Sequence, residues 1–240
     1  MKYFEYPFID EKIMAITTNR ECGNMAFQVG DNYDEVKNNR HALFEELNID
    51  ENHVVFVHQS HSDIIEEVTL DNDGGKGKDN FESGVEADAL YTKEKRLALG
   101  IFHADCVPVF FYDLSIPLVG IIHSGFKGTL KHIVFKALGK VIQKEHLDTN
   151  NLHIVIGPYR HQESFELNQE SFEQCIINYL PVTPDRHINL SEAIKFDLGC
   201  LNVPPNNIKD INVDTCQSEK CYSAIKKTPV GRMSSLIYIK

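Results

Sequence analysis

Two short stretches, LALGIF at 97–102 and LVGII at 118–122, are apolar almost without interruption. Runs with no polar residue to mark a wet side are expected of strands covered on both faces. Further strand-like runs lie at 53–57, 107–112 and 153–156, and 234–239 at the C-terminal end reads the same way. Helical periodicity is clearest in three places. At 34–47 it places Val36, Leu43, Phe44 and Leu47 on one face. At 130–144 it does so for Ile133, Val134, Ala137, Leu138, Val141 and Ile142, and at 171–180 for Phe172, Cys175, Ile176 and Tyr179. Strands and helices interleave, which predicts an α/β or α+β protein. No internal repeat and no Pro- or Ser-rich linker divides the chain, so a single domain over 1–240 is expected. The polar segment 71–83, DNDGGKGKDNFES, reads as an exposed loop. Its GGKGK core lacks the spacing of a phosphate loop.

Charge narrows the function. Twenty-four Lys and Arg against 35 Asp and Glu leave a formal charge of −11, with no basic tail. Such a chain lacks the electrostatic footprint of a nucleic-acid binder and has little attraction to anionic membranes. No apolar run approaches the ~20 residues of a membrane span. The opening MKYFEYPFIDEKIMAITT has no secretory h-region, so a cytoplasmic location is expected. In that setting the six cysteines, at 22, 106, 175, 200, 216 and 221, are better read as packed thiols, metal ligands or a nucleophile than as disulfides.

Three apolar runs end in polar clusters. VVFV leads into His58-Gln59-Ser60-His61, LALGIF into His103-Ala104-Asp105-Cys106, and LVGII into His123-Ser124-Gly125-Phe126-Lys127-Gly128. Taken singly, each His is a polar residue at a strand end, Cys106 a small buried hydrophobe and the glycines a turn before a helix. Together, at strand ends that can converge on one cleft, they suggest chemistry. One version makes Cys106 a thiolate nucleophile with a His as its base. The other has two His and one Cys bind zinc with a fourth position open, the arrangement of a catalytic metal. A thiol beside Asp105 needs a cation's charge to ionise, which favours the metal.

HQSHSD, EADALYT, HADCVPVFFYD, IIHSGFKGT and VIGPY, in this order, resemble the YfiH/DUF152 family, formerly laccase-domain or multicopper polyphenol oxidase-like and now described as purine nucleoside phosphorylase-like. The family patterns read approximately Q-V-H-G, A-D-A-L-[VI]-T, A-D-C-x-P-[VI], H-A-G-W-[RK]-G-T and I-G-P-C-I, and a late G-R-M/Q matches Gly231-Arg232-Met233. The likeness runs from about Thr17 to Ile239. It implies a compact layered α/β/β/α domain related to cysteine-hydrolase-like toxins, with metal ligands at His61, Cys106 and His123, and assigns His58 and His103 to structure. It also implies phosphorolysis of adenosine, inosine and methylthioadenosine, together with deamination of adenosine, so the expected partners are a purine nucleoside and phosphate.

Several positions depart from those patterns. Phe126 replaces Trp, Lys127 stands where Arg is common, Tyr159 replaces the Cys of I-G-P-C, and Glu21-Cys22-Gly23-Asn24 replaces a Gly-Gly-x-Ser segment. A Ser-Tyr-Arg-Arg-like segment appears as Ser223-Ala224-Ile225-Lys226-Lys227. The leading expectation is therefore a zinc enzyme of purine nucleosides. Asp105, with Cys106 and His123, forms the catalytic group; Lys127 and Arg20 hold phosphate; Gln59 and Glu166 are further substrate contacts, Glu166 doubling as a weaker candidate for proton transfer. Four alternatives remain. One is a cysteine hydrolase or deamidase using Cys106 and His123. Another is editing of cell-wall precursors at the same site, and a third is a non-catalytic protein with a structural metal. The fourth, a copper oxidase, is disfavoured because the chain has no H-x-H pair.

Overall fold

The computed structural model describes residues 2–30 and 32–240. Eleven strands form two mixed sheets among these residues. The five-stranded sheet has the order β1 (Tyr3–Glu5), β2 (Ile13–Thr18), β11 (Met233–Ile239), β6 (Ala98–His103), β3 (Val54–Phe56). Its pairs are antiparallel except for β3 with β6. The six-stranded sheet has the order β10 (Ile208–Asp210), β9 (Leu152–Ile156), β7 (Val107–Asp113), β8 (Leu118–Ser124), β5 (Ala89–Thr92), β4 (Ile65–Glu67). Here the outer pairs β10–β9 and β4–β5 are parallel and the central ones antiparallel.

The apolar runs behave as strands buried on two sides. In β6, Leu99 and Ile101 face the other sheet while Ala98 and Phe102 face away from it. In β7, Phe110 and Tyr112 point between the sheets, and Val109 and Phe111 point to the opposite side. Period-two alternation thus builds three apolar zones from two sheets. Helix α1 (Tyr33–Leu47) covers the outside of the five-stranded sheet with Leu43, Phe44 and Leu47, and Val36 on the same helix is also buried. Asn32 caps its start by accepting from the Asp34 N–H at 3.0 Å, and Asn48 ends it in the left-handed region. The outside of the six-stranded sheet carries α4 (Ile133–Glu145) and α6 (Leu190–Cys200), with α3 (Phe126–Leu130) and α5 (Gln169–Ile177) beside them. A four-residue helix, α2 (Leu70–Asp73), completes the set. The layers run helix, sheet, sheet, helices.

Several expectations shift. The helix expected over 130–144 starts only at Ile133, because His132 adopts φ 54 and separates α3 from α4. The helix expected over 171–180 ends at Ile177. Cys175 is buried and Phe172 half-buried, but Ile176 and Tyr179 are 54% and 86% exposed, so the four do not share a buried face. Strands β1, β2, β4, β5 and β10 and helix α6 have no counterpart among the expected elements. Segment 71–83 is mostly exposed, yet it begins inside α2 and follows β3: Phe56 N–H donates to the Lys76 carbonyl and Gly75 N–H to that of Val54. No helix of the described residues is long and apolar enough to cross a membrane.

Candidate metal centre and its cavity

The site lies where the sheets exchange chain at one end of the sandwich. His61 sits in the loop leaving β3, in the five-stranded sheet. Cys106 ends the 104–106 turn that carries the chain from β6 into β7 of the other sheet. His123 is the penultimate residue of β8. One ligand atom from each of these three lies within 4.8 Å of the others, the one such cluster of His, Cys, Asp and Glu among the described residues. The two imidazoles meet edge to face, centroids 5.0 Å apart.

Asp88, which precedes β5, organises both histidines and is fully buried. Oδ2 accepts the Ser60 N–H at 3.1 Å, the Ser62 N–H at 2.6 Å and the Ser62 hydroxyl at 2.8 Å. Oδ1 accepts the His61 N–H at 3.0 Å and contacts His123 Nδ1 at 2.9 Å. Three consecutive backbone N–H groups converging on one carboxylate curl the loop, and His61 takes φ 59 within it. The same carboxylate fixes the His123 ring so that Nε2 is the nitrogen left for a ligand, the carboxylate–histidine arrangement common behind metal ligands. Burial pushes the Asp88 carboxyl up, but the His123 hydrogen bond and charge and the Ser62 donors outweigh it and hold it down to about 2.

Burial likewise pushes the Cys106 thiol up, while the facing His123, with His61, pulls it down to about 6. Burial would lower His123, but the Cys106 charge and the Asp88 carboxylate raise it to about 9. The corner therefore favours a thiolate over a neutral thiol at neutral pH. Gly125 closes it: a Cβ there would stand 2.7 Å from Cys106 Sγ and 2.9 Å from His61 Cδ2, although its φ of −82 suits any residue. The need for glycine is space, not conformation. A borderline-soft donor set of two imidazoles and one thiolate, with one imidazole oriented from behind and the pocket kept free of a side chain, fits a metal ion such as zinc.

The corner opens on a cavity of about 400 Å³ lined by His61, Asp105, Cys106, Phe126, Lys127, Arg160, Phe165, Leu190 and Ile225, with Ala104 and Ala224. Phe126 and Phe165 pair across it with centroids 6.0 Å apart. Of the residues expected here, Asp105 and Lys127 line it. Asp105, at φ 82, has one carboxylate oxygen accepting from the Thr215 hydroxyl at 2.7 Å and the other from the Ala224 N–H at 2.8 Å, so it also pins the 215–224 segment against the site.

Three expected contacts are engaged elsewhere. Gln59 donates to the Phe102 carbonyl at 2.6 Å and accepts the Phe102 N–H at 2.9 Å, mimicking a strand partner. Arg20 donates to the Glu219 carbonyl at 3.0 Å. Glu166 pairs with Arg186 at 3.3 Å, toward solvent. None of the three is among the described residues lining the cavity. His103 is buried against the Ser235 hydroxyl at 2.8 Å and His58 packs edge-on to Phe81. Asp88 and Arg160 were not singled out from the sequence. The signal for Asp88 was its place in EADALYT, and for Arg160 its position directly after VIGPY, where the family pattern has Ile.

A family model described as "Multi-copper polyphenol oxidoreductase laccase" matches residues 16–240. The chain is 32% identical over 179 residues to the purine nucleoside phosphorylase YlmD of Bacillus subtilis (strain 168), covering 74% of this chain and 63% of that one. It is 31% identical to a Staphylococcus saprophyticus protein named purine nucleoside phosphorylase, over 99% of this chain and 95% of the relative. The crystal structure of YlmD from Geobacillus stearothermophilus superposes with a TM-score of 0.92 at 26% identity, covering 100% of this chain and 97% of that one. By these likenesses the chain belongs to the laccase-like YfiH/DUF152 family, whose curated members among its relatives are named purine nucleoside phosphorylases.

Proposed function

We propose that the chain is a zinc-dependent purine nucleoside phosphorylase, acting as one catalytic domain on adenosine, inosine or methylthioadenosine and also deaminating adenosine. The observation that carries this reading is the juxtaposition of the His61–Cys106–His123 corner with an aromatic-walled cavity. His61, Cys106 and His123 would hold the ion, which supplies Lewis-acid polarisation when bound. Asp88 holds the donor nitrogen of His123 in place and sets its tautomer. Phe126 and Phe165 offer flat apolar surface to a purine, and Leu190 and Ile225 exclude water from the same wall. Lys127 faces this space with a charge suited to phosphate. In phosphorolysis a phosphate oxygen bonds to the anomeric carbon as the glycosidic bond breaks and the base leaves with the bonding pair. Asp105, on the cavity wall beside Cys106, is the acid–base candidate for the leaving base. All six cysteines are free thiols, which suits a reducing cytoplasm.

The test joins metal analysis with an adenosine and inosine assay run with and without phosphate. Free base that appears only with phosphate supports phosphorolysis, and inosine formed from adenosine without phosphate supports deamination. Cys106→Ala is expected to lose the metal and both activities; full zinc with full turnover in that variant would overturn the reading. One observation favours a second reading, a cysteine hydrolase: the lowered Cys106 thiol facing the raised His123 is also a nucleophile–base pair. Activity that survives chelation but not alkylation of Cys106 would select it.

A further inference from the structure

The cavity wall carries, against its aromatic side, a cation that the proposed reaction does not use. Arg160 follows β9, and its backbone N–H donates to the Asp105 carbonyl at 3.0 Å, so it is held to the turn that presents Cys106. Its guanidinium lies over the Phe165 ring, 4.3 Å from the centroid, and donates to the Ser164 carbonyl, while Nε is buried with no partner. Stacking fixes the plane of the fork, and the unpartnered Nε is a donor whose burial is costly unless something accepts from it.

Charge balance adds weight. The molecule carries −11 overall, and many of its cations are tied to carboxylates, as in Lys136–Asp63, Lys144–Glu67 and Arg186–Glu166. Arg160 and Lys127 both line the cavity, and neither has an ion-pair partner among the described residues. The one carboxylate on the wall, Asp105, sets a single negative charge, held by the Thr215 hydroxyl and the Ala224 N–H, against these two cations. Two unpaired cations facing one small volume in an acidic protein concentrate positive potential there. Ala224 and Ile225 add no charge, so the positive part of the field comes from Arg160 and Lys127.

We propose that Arg160 and Lys127 form an oxyanion clamp for inorganic phosphate in this cavity, with Arg160 the residue that sets its affinity. Arg160 offers Nε and the guanidinium N–H groups not donated to Ser164, and Lys127 contributes a point charge. Phe165 belongs to both halves of the site: one ring holds the guanidinium plane and pairs with Phe126 on the side meant for the base. The identity of the anion rests on the phosphorolytic reading; the clamp itself rests on geometry and charge.

Calorimetric titration of inorganic phosphate into metal-loaded protein, with and without hypoxanthine, tests it. Wild type is expected to bind in at least one condition. R160Q should weaken binding about tenfold or more, R160K should recover part of the loss, and K127Q should lose a few-fold, all with unchanged metal content. Equal phosphate affinity in wild type and R160Q, or no binding by wild type in either condition, overturns the clamp. A paired kinetic run separates this from the proposed reaction. Phosphate-dependent cleavage with an unchanged KM for phosphate in R160Q removes the clamp and leaves the reaction. Phosphate binding through Arg160 with no nucleoside cleavage keeps the clamp and removes the reaction.

Discussion

Among the described residues, a fully buried histidine–aspartate pair, His123–Asp88, and a half-buried one, His132–Asp197, are built alike, and only the first faces the candidate metal corner. His123 Nδ1 meets Asp88 at 2.9 Å, and His132 Nδ1 meets Asp197 at 2.7 Å. In both, the carboxylate also accepts backbone N–H groups, from Ser60, His61 and Ser62 for Asp88 and from Phe135 for Asp197. They part at the second ring nitrogen. His132 Nε2 contacts the Asn178 carbonyl at 3.2 Å, so its ring is fully engaged and clamps the start of α4 between α5 and α6. His123 turns its second nitrogen toward Cys106 and His61. Burial moves the two carboxyls the same way, up, but His132 does not fully offset it, and Asp197 stays raised where Asp88 is held low. A His–Asp pair is thus no mark of a metal corner by itself; what sets His123 apart is a second nitrogen left over and aimed at other soft donors.

Asp88→Asn should break the comparison hardest. It removes one anionic acceptor from a carboxylate with five donors and places an amide N–H against them. Metal affinity is expected to fall about 10- to 100-fold, read by competition with a chromophoric chelator. Asp197→Asn should leave that affinity unchanged and cost about 1–3 kcal/mol in urea unfolding instead. Equal loss of metal in both variants would show that the pairs do not differ in kind.

Gly125→Ala makes a smaller perturbation from the opposite side. The added Cβ would lie 2.7 Å from Cys106 Sγ, so the thiol or the His61 ring must move, and metal affinity is expected to fall about tenfold. Gly128→Ala is the matched control three residues on, where the nearest atom is Ile133 Cγ2 at 3.3 Å. It should bind metal like wild type. Tighter or equal binding in Gly125→Ala would mean the corner has more room than its geometry states.

These contrasts also show what the chain declared in advance. The three ligand candidates were legible because each stands where an apolar run stops, and buried strands fix the direction of the residues at their ends. Asp88 was hidden because its role consists of contacts to residues 26 to 35 positions away, which no local pattern encodes. Gln59 looked like a substrate contact beside His61, but tertiary packing turned its amide to the backbone of Phe102. Strand β2 escaped because its buried Thr17 and Thr18 read as polar. Packing gives Thr17 partners, the Tyr6 and Ser235 hydroxyls at 2.6 and 2.7 Å. Helix α6 did carry a periodic stripe, Leu190, Ala193, Ile194 and Leu198, all buried. The over-extended helix at 171–180 rested on Ile176 and Tyr179; Ile176 is exposed within α5, and Tyr179, at φ 56, lies beyond its end.

A second buried histidine, with no carboxylate beside it, gives the mildest check. His103 contacts Ser235 Oγ at 2.8 Å, leaves Nδ1 without a partner and has no carboxylate against it. Burial, with smaller pushes from His123 and Arg232, drives it down to about 3, where His123, facing the Cys106 charge with Asp88 behind it, rises to about 9. The folded value lies below the ordinary ~6.5, so between about pH 6.5 and 3 the unfolded chain binds a proton that the folded chain refuses. Stability from this position is complete above about pH 6.5 and is lost as the pH falls below it. His103→Gln keeps a partner for Ser235 and removes the titration. In urea unfolding with chelator present, the drop in stability from pH 6.5 to 5.5 should be about 1 kcal/mol smaller in the variant than in wild type. His123 and Asp88 titrate in both proteins and cancel in the difference. Parallel acid limbs would mean that His103 takes up its proton in the folded state.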